Sequence, residues 1–83
     1  MSAIELYPGV IADSDILGGK PVVKGTRVPV SLVLGQLAGG MSVEEVMYEY
    51  YLDIEGIRAA LRYDRLKKEM LSAGHERDID DRS

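Results

Sequence analysis

The spacing of apolar residues changes partway along this chain. Up to residue 28 they come in short clusters, Val10-Ile11-Ala12, Ile16-Leu17 and Val22-Val23, separated by turn formers. Beyond Pro29 they recur every three or four positions, the period of a helix with one buried face. The expected order is therefore short strands first, then helices. Met1 to Leu6 reads as a lead-in, and Tyr7-Pro8-Gly9 as a turn. Val10-Ile11-Ala12 and Val22-Val23 are the strand candidates. Between them, Asp13-Ser14-Asp15 has Asx-turn chemistry and Gly18-Gly19 turns the chain again. Two strands this short bury no face of their own, so the region from 9 to 28 must dock on the helices or on another chain.

Three helices are expected, at about 29–38, 42–51 and 53–72. Pro29 suits a first helical turn, where its missing N–H is no loss. Val30, Val33, Leu34 and Leu37 form one stripe of the first helix, with Gly35 as a point of close helix contact, and Gly39-Gly40 ends it. Ser42 and Glu45 spell a capping box, with Met41 and Val46 spaced for a hydrophobic staple. The second helix then presents Val43, Val46, Met47 and Tyr50. Asp53 is the natural N-cap of the third. That helix carries two apolar stripes. Ile54, Ile57 and Leu61 are expected to close the helical core. Ala59, Tyr63, Leu66 and Met70 are expected to meet the hairpin region, a second subunit or a partner. Ala73-Gly74 ends the helix. Residues 1–74 form a single domain in this reading, and 75–83 a disordered acidic tail.

Composition narrows the function. A chain of 83 residues without cysteine has neither a large core nor disulfides, so a homodimer or a partner is expected. The net charge of −4 argues against coating nucleic acid by bulk charge. No apolar run is long enough to span a membrane and no signal peptide is evident, so a cytoplasmic location is expected.

Chemistry-bearing motifs are few. Gly18-Gly19-Lys20-Pro21 is not a phosphate loop, because Pro21 stands where a Ser or Thr must follow the lysine. Asp13 and Asp15 lack the ligand series of a calcium loop. His75 is the only histidine and lies in the tail. No catalytic residue, metal site or cofactor is expected. The tyrosines at 48, 50, 51 and 63 read as core and interface residues. Lys20, Lys24 and Arg27 are candidates for a cationic partner surface. The short link between the second and third helices has the length of a helix-turn-helix. On that reading Arg58, Arg62, Arg65, Lys67 and Lys68 of the third helix would contact DNA. Pairing of the arginines with Glu55 and Glu69 on a solvated face is the alternative.

The run Gly19-Lys20-Pro21-Val22-Val23-Lys24-Gly25-Thr26-Arg27-Val28-Pro29-Val30 resembles the signature of the "domain of unknown function 433" family. The continuation agrees at Leu37-Ala38, Gly40-Met41-Ser42, Glu44-Glu45-Val46, Leu52-Asp53-Ile54-Glu55, Ile57, Ala59-Ala60-Leu61 and Tyr63. The resemblance spans residues 10 to 66. It implies a mainly α fold, a homeodomain-like trihelical helix-turn-helix module preceded by a short β-hairpin-like region. It also implies a VapB-type antitoxin, encoded beside a PIN-like ribonuclease toxin, that neutralises the toxin by protein–protein binding and binds operator DNA. This chain departs from the family at Tyr50-Tyr51-Leu52-Asp53, where a proline is frequent. In antitoxins of this kind a C-terminal arginine can enter the toxin's acidic cluster, a role that Arg77 or Arg82 could fill. Tyr63, Leu66 and Met70 complete the partner-binding candidates. A stand-alone DNA-binding regulator and a protein-only adaptor are the competing readings.

Overall fold

A computed structural model of the chain describes residues 3–73. Three strands, β1 (Ala3–Tyr7), β2 (Val10–Asp13) and β3 (Val22–Val23), precede three helices, α1 (Val30–Ala38), α2 (Val43–Tyr50) and α3 (Ile54–Ala73). The strands pair antiparallel in the order β1-β2-β3.

β1 occupies the segment expected to be a lead-in. Its alternation of Ile4 and Leu6 with Glu5 suits a strand, and Pro8-Gly9 folds it back on β2. Gly9 has φ +93°, the left-handed conformation that a tight turn after proline requires. The ladder is irregular. Ile4 pairs with Ala12, Glu5 with Ile11, and Tyr7 with Val10, so Leu6 is the extra residue of a bulge.

After β2 the amide of Asp15 donates to Asp13 Oδ1 at 2.8 Å, the expected Asx turn. A single 3-10 turn, Leu17–Gly19, leads into β3. The Gly-Thr-Arg segment then doubles back. Thr26 Oγ1 donates to the Val23 carbonyl at 2.7 Å and accepts from the Val28 amide at 3.0 Å. Val22 bridges to Pro29, and the Val30 amide donates to the Pro21 carbonyl at 3.0 Å. Pro29 therefore stands opposite Val22, and Pro21 opposite Val30, closing the loop where Pro29 caps the start of α1.

The helix ends follow their sequence signals. Gly40 (φ +110°) donates to Leu37 and Met41 donates to Gln36, a Schellman closure of α1. Both halves of the capping box form at α2: Glu45 N–H to Ser42 Oγ, and Ser42 N–H to Glu45 Oε1. α2 ends in a related turn, in which Tyr51 and Leu52 both donate to the Met47 carbonyl, and its left-handed residue is Tyr51 (φ +56°) rather than glycine. Leu52 donates to Met47 and is buried beneath that turn. Asp53 Oδ1 accepts from the Gly56 amide at 2.8 Å, as an N-cap should.

One cluster joins sheet and helices: Val10, Val23, Val30, Val33, Val46, Leu52, Ile57, Ala59 and Ala60. The α1 stripe is placed as expected, with Leu34 and Leu37 packed against this cluster. Gly35, in contrast, would meet nothing within 4 Å on gaining a Cβ, so it is no helix contact. It lies on the exposed side of α1.

The face of α3 is corrected as well. Ile57 is buried, but Ile54 and Leu61 are 39% and 43% exposed. The buried arc runs through Gly56, Ile57, Ala59 and Ala60, between the two expected stripes. Size explains the shift. A Cβ on Gly56 would lie 3.0 Å from Val23 Cγ1, and one on Gly9 would lie 2.6 Å from Ala59 Cβ. The hairpin comes so close that only small residues fit beneath it, and the larger ones turn outward.

Candidate partner-binding surface

At 20 residues α3 is about 30 Å long, and the sheet and other helices cover only its first half. The apolar line Ala59, Tyr63, Leu66, Met70 continues the buried arc past the end of the body. Its exposure rises along the way: Ala59 is buried, Tyr63 is half-buried, Leu66 is 40% exposed and Met70 is 69% exposed. Leu71, which was not among the sequence candidates, is 64% exposed beside them. Tyr7, Arg62, Arg65, Leu66 and Glu69 line a shallow hollow where β1 ends against α3. The periodicity of α3 was the signal for Leu71, but that residue falls between the two stripes drawn from sequence.

Of the cations named for DNA contact, three pair with carboxylates of α3 itself and two face neighbouring elements. Arg58 Nη1 is 3.4 Å from Glu55 Oε2, and Arg65 Nε is 3.9 Å from Glu69 Oε2. Lys68 Nζ is 3.1 Å from Asp64 Oδ2. All three lie within one helix, with only Asp64 half-buried, and are worth a few tenths of a kcal/mol each at most. Arg62 faces the hollow beside Tyr7, and Lys67 faces α1. The neighbouring surface of α2 is acidic, with Glu44, Glu45 and Glu49 around Tyr48 and Met41. Tyr48 and Tyr51 are exposed, at 84% and 92%, so of the two roles expected for the tyrosines, core and interface, neither fills the first. Tyr50 and Tyr63 do pack against the core.

Lys20, Lys24 and Arg27 do not converge on one groove. Lys20 joins Pro21, Val30, Ser31, Leu34, Tyr63, Asp64 and Lys67 around a groove of about 140 Å³ between α1 and α3. Lys24 lies 3.5 Å from Glu5 and lines a different groove, with Tyr51, Asp53 and Glu55. Arg27 is exposed on the Gly-Thr-Arg turn. Arg77 and Arg82, and the expected tail, lie outside the described residues. Among the described residues no group of His, Cys, Asp or Glu could hold a metal, and no helix is long and apolar enough to cross a membrane. The pairing of Lys20 with Lys67 and Tyr63 escaped the sequence reading because more than forty positions of chain separate them.

Similarity to known proteins covers this same body. Uncharacterized protein y4eO of Sinorhizobium fredii (strain NBRC 101917 / NGR234) is 51% identical over 55 residues, covering 65% of this chain and 25% of that protein. The crystal structure of Rv2018 from Mycobacterium tuberculosis superposes with a TM-score of 0.64 at 34% identity, over 72% of this chain and 30% of that one. The chain thus spans a third or less of the length of either relative. Residues 10–63, from the start of β2 to Tyr63, match the model of a family described as protein of unknown function (DUF433), and the chain belongs to that family.

Proposed function

We propose that this chain is the protein-binding module of a toxin–antitoxin pair, a non-enzymatic antitoxin that acts in the cytoplasm and neutralises a PIN-like ribonuclease. The observation that carries the protein-binding part is the second half of α3, where Leu66, Met70 and Leu71 extend a buried face into solvent. A helix that continues its core stripe beyond the core has an apolar side to place against a partner. The sequence resemblance supplies the class of partner. The relatives are consistent with a module that works beside a second domain, since the matched part is 25% of y4eO and 30% of Rv2018. Co-expression with the ribonuclease encoded next to the gene tests the reading. The two proteins should co-purify and growth should recover. A ribonuclease that stays unbound and toxic sinks it.

Operator binding through α3 is the second reading. Tyr51, Leu52 and Asp53 alone join α2 to α3, the connection length of a helix-turn-helix in a homeodomain-like module. The acidic surface of α2 weighs against it, because phosphates would be repelled there. A gel shift with the upstream DNA at two salt concentrations decides. Specific binding should fall steeply with salt and be lost in Arg58→Ala with Arg62→Ala. Binding that survives the double change removes α3 as the reading element. Homodimerisation, the remaining expectation for so small a core, is read directly by sedimentation, and a monomer at micromolar concentration ends it.

A further inference from the structure

We infer that the groove between α1 and α3 anchors an acidic, apolar-centred segment of the partner protein; this deepens the protein-binding reading and rests on it. Pro21, Val30 and Leu34 give the groove an apolar floor, and Tyr63 adds its ring from α3. Lys20 comes from the Gly-Lys-Pro loop and Lys67 from α3, so the two ammonium groups stand on separate elements lining one groove. Among the described residues neither has a carboxylate within 4 Å, whereas Lys24, Arg58, Arg65 and Lys68 each have one. Asp64 is the one carboxylate lining the groove, and Lys68 neutralises it at 3.1 Å.

An apolar floor beneath two unpaired cations is complementary to an aliphatic or aromatic side chain with Asp or Glu next to it. At about 140 Å³ the groove is smaller than the roughly 300–1,000 Å³ of small-molecule pockets, and its size suits a single side chain. A nucleic-acid backbone would offer phosphates to the lysines but nothing apolar to cover Pro21 and Leu34. The groove also continues into the exposed end of α3. Leu71 stands one helical turn beyond Lys67, and Met70 two turns beyond Tyr63, so a segment leaving the groove along the helix meets both. The conspicuous Gly-Lys-Pro run thereby acquires a role: it holds Lys20 at this groove while Pro21 contributes to its lining.

Two measurements on the full chain test the inference. The first is titration with a short fluorescent peptide carrying one leucine between pairs of glutamates. The wild-type chain should bind it, and binding should weaken with salt. It should be lost when the leucine is replaced by serine or the glutamates by lysines. Lys20→Glu with Lys67→Glu should weaken it about tenfold or more, the product of two lost and reversed charge contacts. Lys20→Gln with Lys67→Gln should fall between, and circular dichroism should show both variants folded. No binding by wild type, equal binding by the charge-reversed variant, or displacement of the peptide by a DNA duplex overturns the inference. The second is co-purification of the neighbouring ribonuclease with wild type and with Lys20→Glu/Lys67→Glu. Loss of the complex only in the variant supports the inference. Equal retention overturns it and leaves the antitoxin reading standing. Failure of the wild type to bind the ribonuclease defeats that reading, and with it this inference.

Discussion

The two halves of α3 share one helical register and lead different lives. From Ile54 to Tyr63 the helix is buried through its smallest residues, Gly56, Ala59 and Ala60, together with Ile57. From Asp64 to Ala73 its larger apolar residues stand in water. In a core they would be worth about 1.5–3 kcal/mol apiece, so their exposure is not what folding alone would select. The contrast separates a half that holds the fold from a half available for binding. Small size here marks close packing, and large size marks accessibility, the reverse of the usual guess from hydrophobicity.

Substitutions can break this division. The largest effect is expected at the closely packed half. Ile57→Ala empties the centre of the cluster and should lower unfolding free energy by about 2–5 kcal/mol in urea, enough to unfold a domain this small. Gly9→Val adds a Cβ where Ala59 already stands and forces a β-branched residue to positive φ. It should cost about 2–4 kcal/mol, the sum of a clash and backbone strain. If either variant keeps wild-type stability, the first half of α3 is not the keystone described. Asp53→Ala removes the cap at the start of that half and should cost about 1 kcal/mol by the same measurement.

The second half should respond in the opposite sense. Leu66→Ser with Met70→Ser should change stability by about 0.5 kcal/mol or less, yet abolish co-purification with the ribonuclease. A large loss of stability would show that this end is packed after all. The smallest effect belongs to Asp64→Ala, which frees Lys68 and should move the melting midpoint by no more than about 0.5 kcal/mol equivalent.

Much of this architecture is legible in the sequence because its signals are local. Ser42 and Glu45 meet across one turn, Asp53 caps the helix it precedes, and Gly39-Gly40 closes α1 within five residues. The failures share a cause too. β1 had the alternation of a strand in Ile4-Glu5-Leu6, but its stability comes from pairing across Pro8-Gly9 with β2, which no single segment announces. The buried side of α3 was set by how near Gly9 and Val23 approach it, a property of tertiary contact rather than of periodicity. The same holds for the groove. Lys20 and Lys67 look like solvated lysines until the fold places them in one lining. Tyr51 carried no usable signal, since the turn it occupies usually takes glycine.

The bulge at Leu6 lets β1 carry one residue more than the strand it pairs with and still keep its phase. By inserting one residue it sets Ile4 and Tyr7 on the sheet side shared with Val10 and Ala12, and leaves Glu5 on the other side. There the Glu5 carboxylate accepts from the Gly9 amide at 3.2 Å and lies 3.5 Å from Lys24. Deleting Leu6 would give a regular ladder with the same partners, Glu5 opposite Ile11 and Ile4 opposite Ala12, whereas pairing Leu6 itself with Ile11 would shift everything upstream by one and exchange the faces of Glu5 and Ile4. Point changes at Leu6, a half-open position, would leave that phase intact. Within this strand it is therefore the pairing, rather than the count of residues, that decides which side chains face the body.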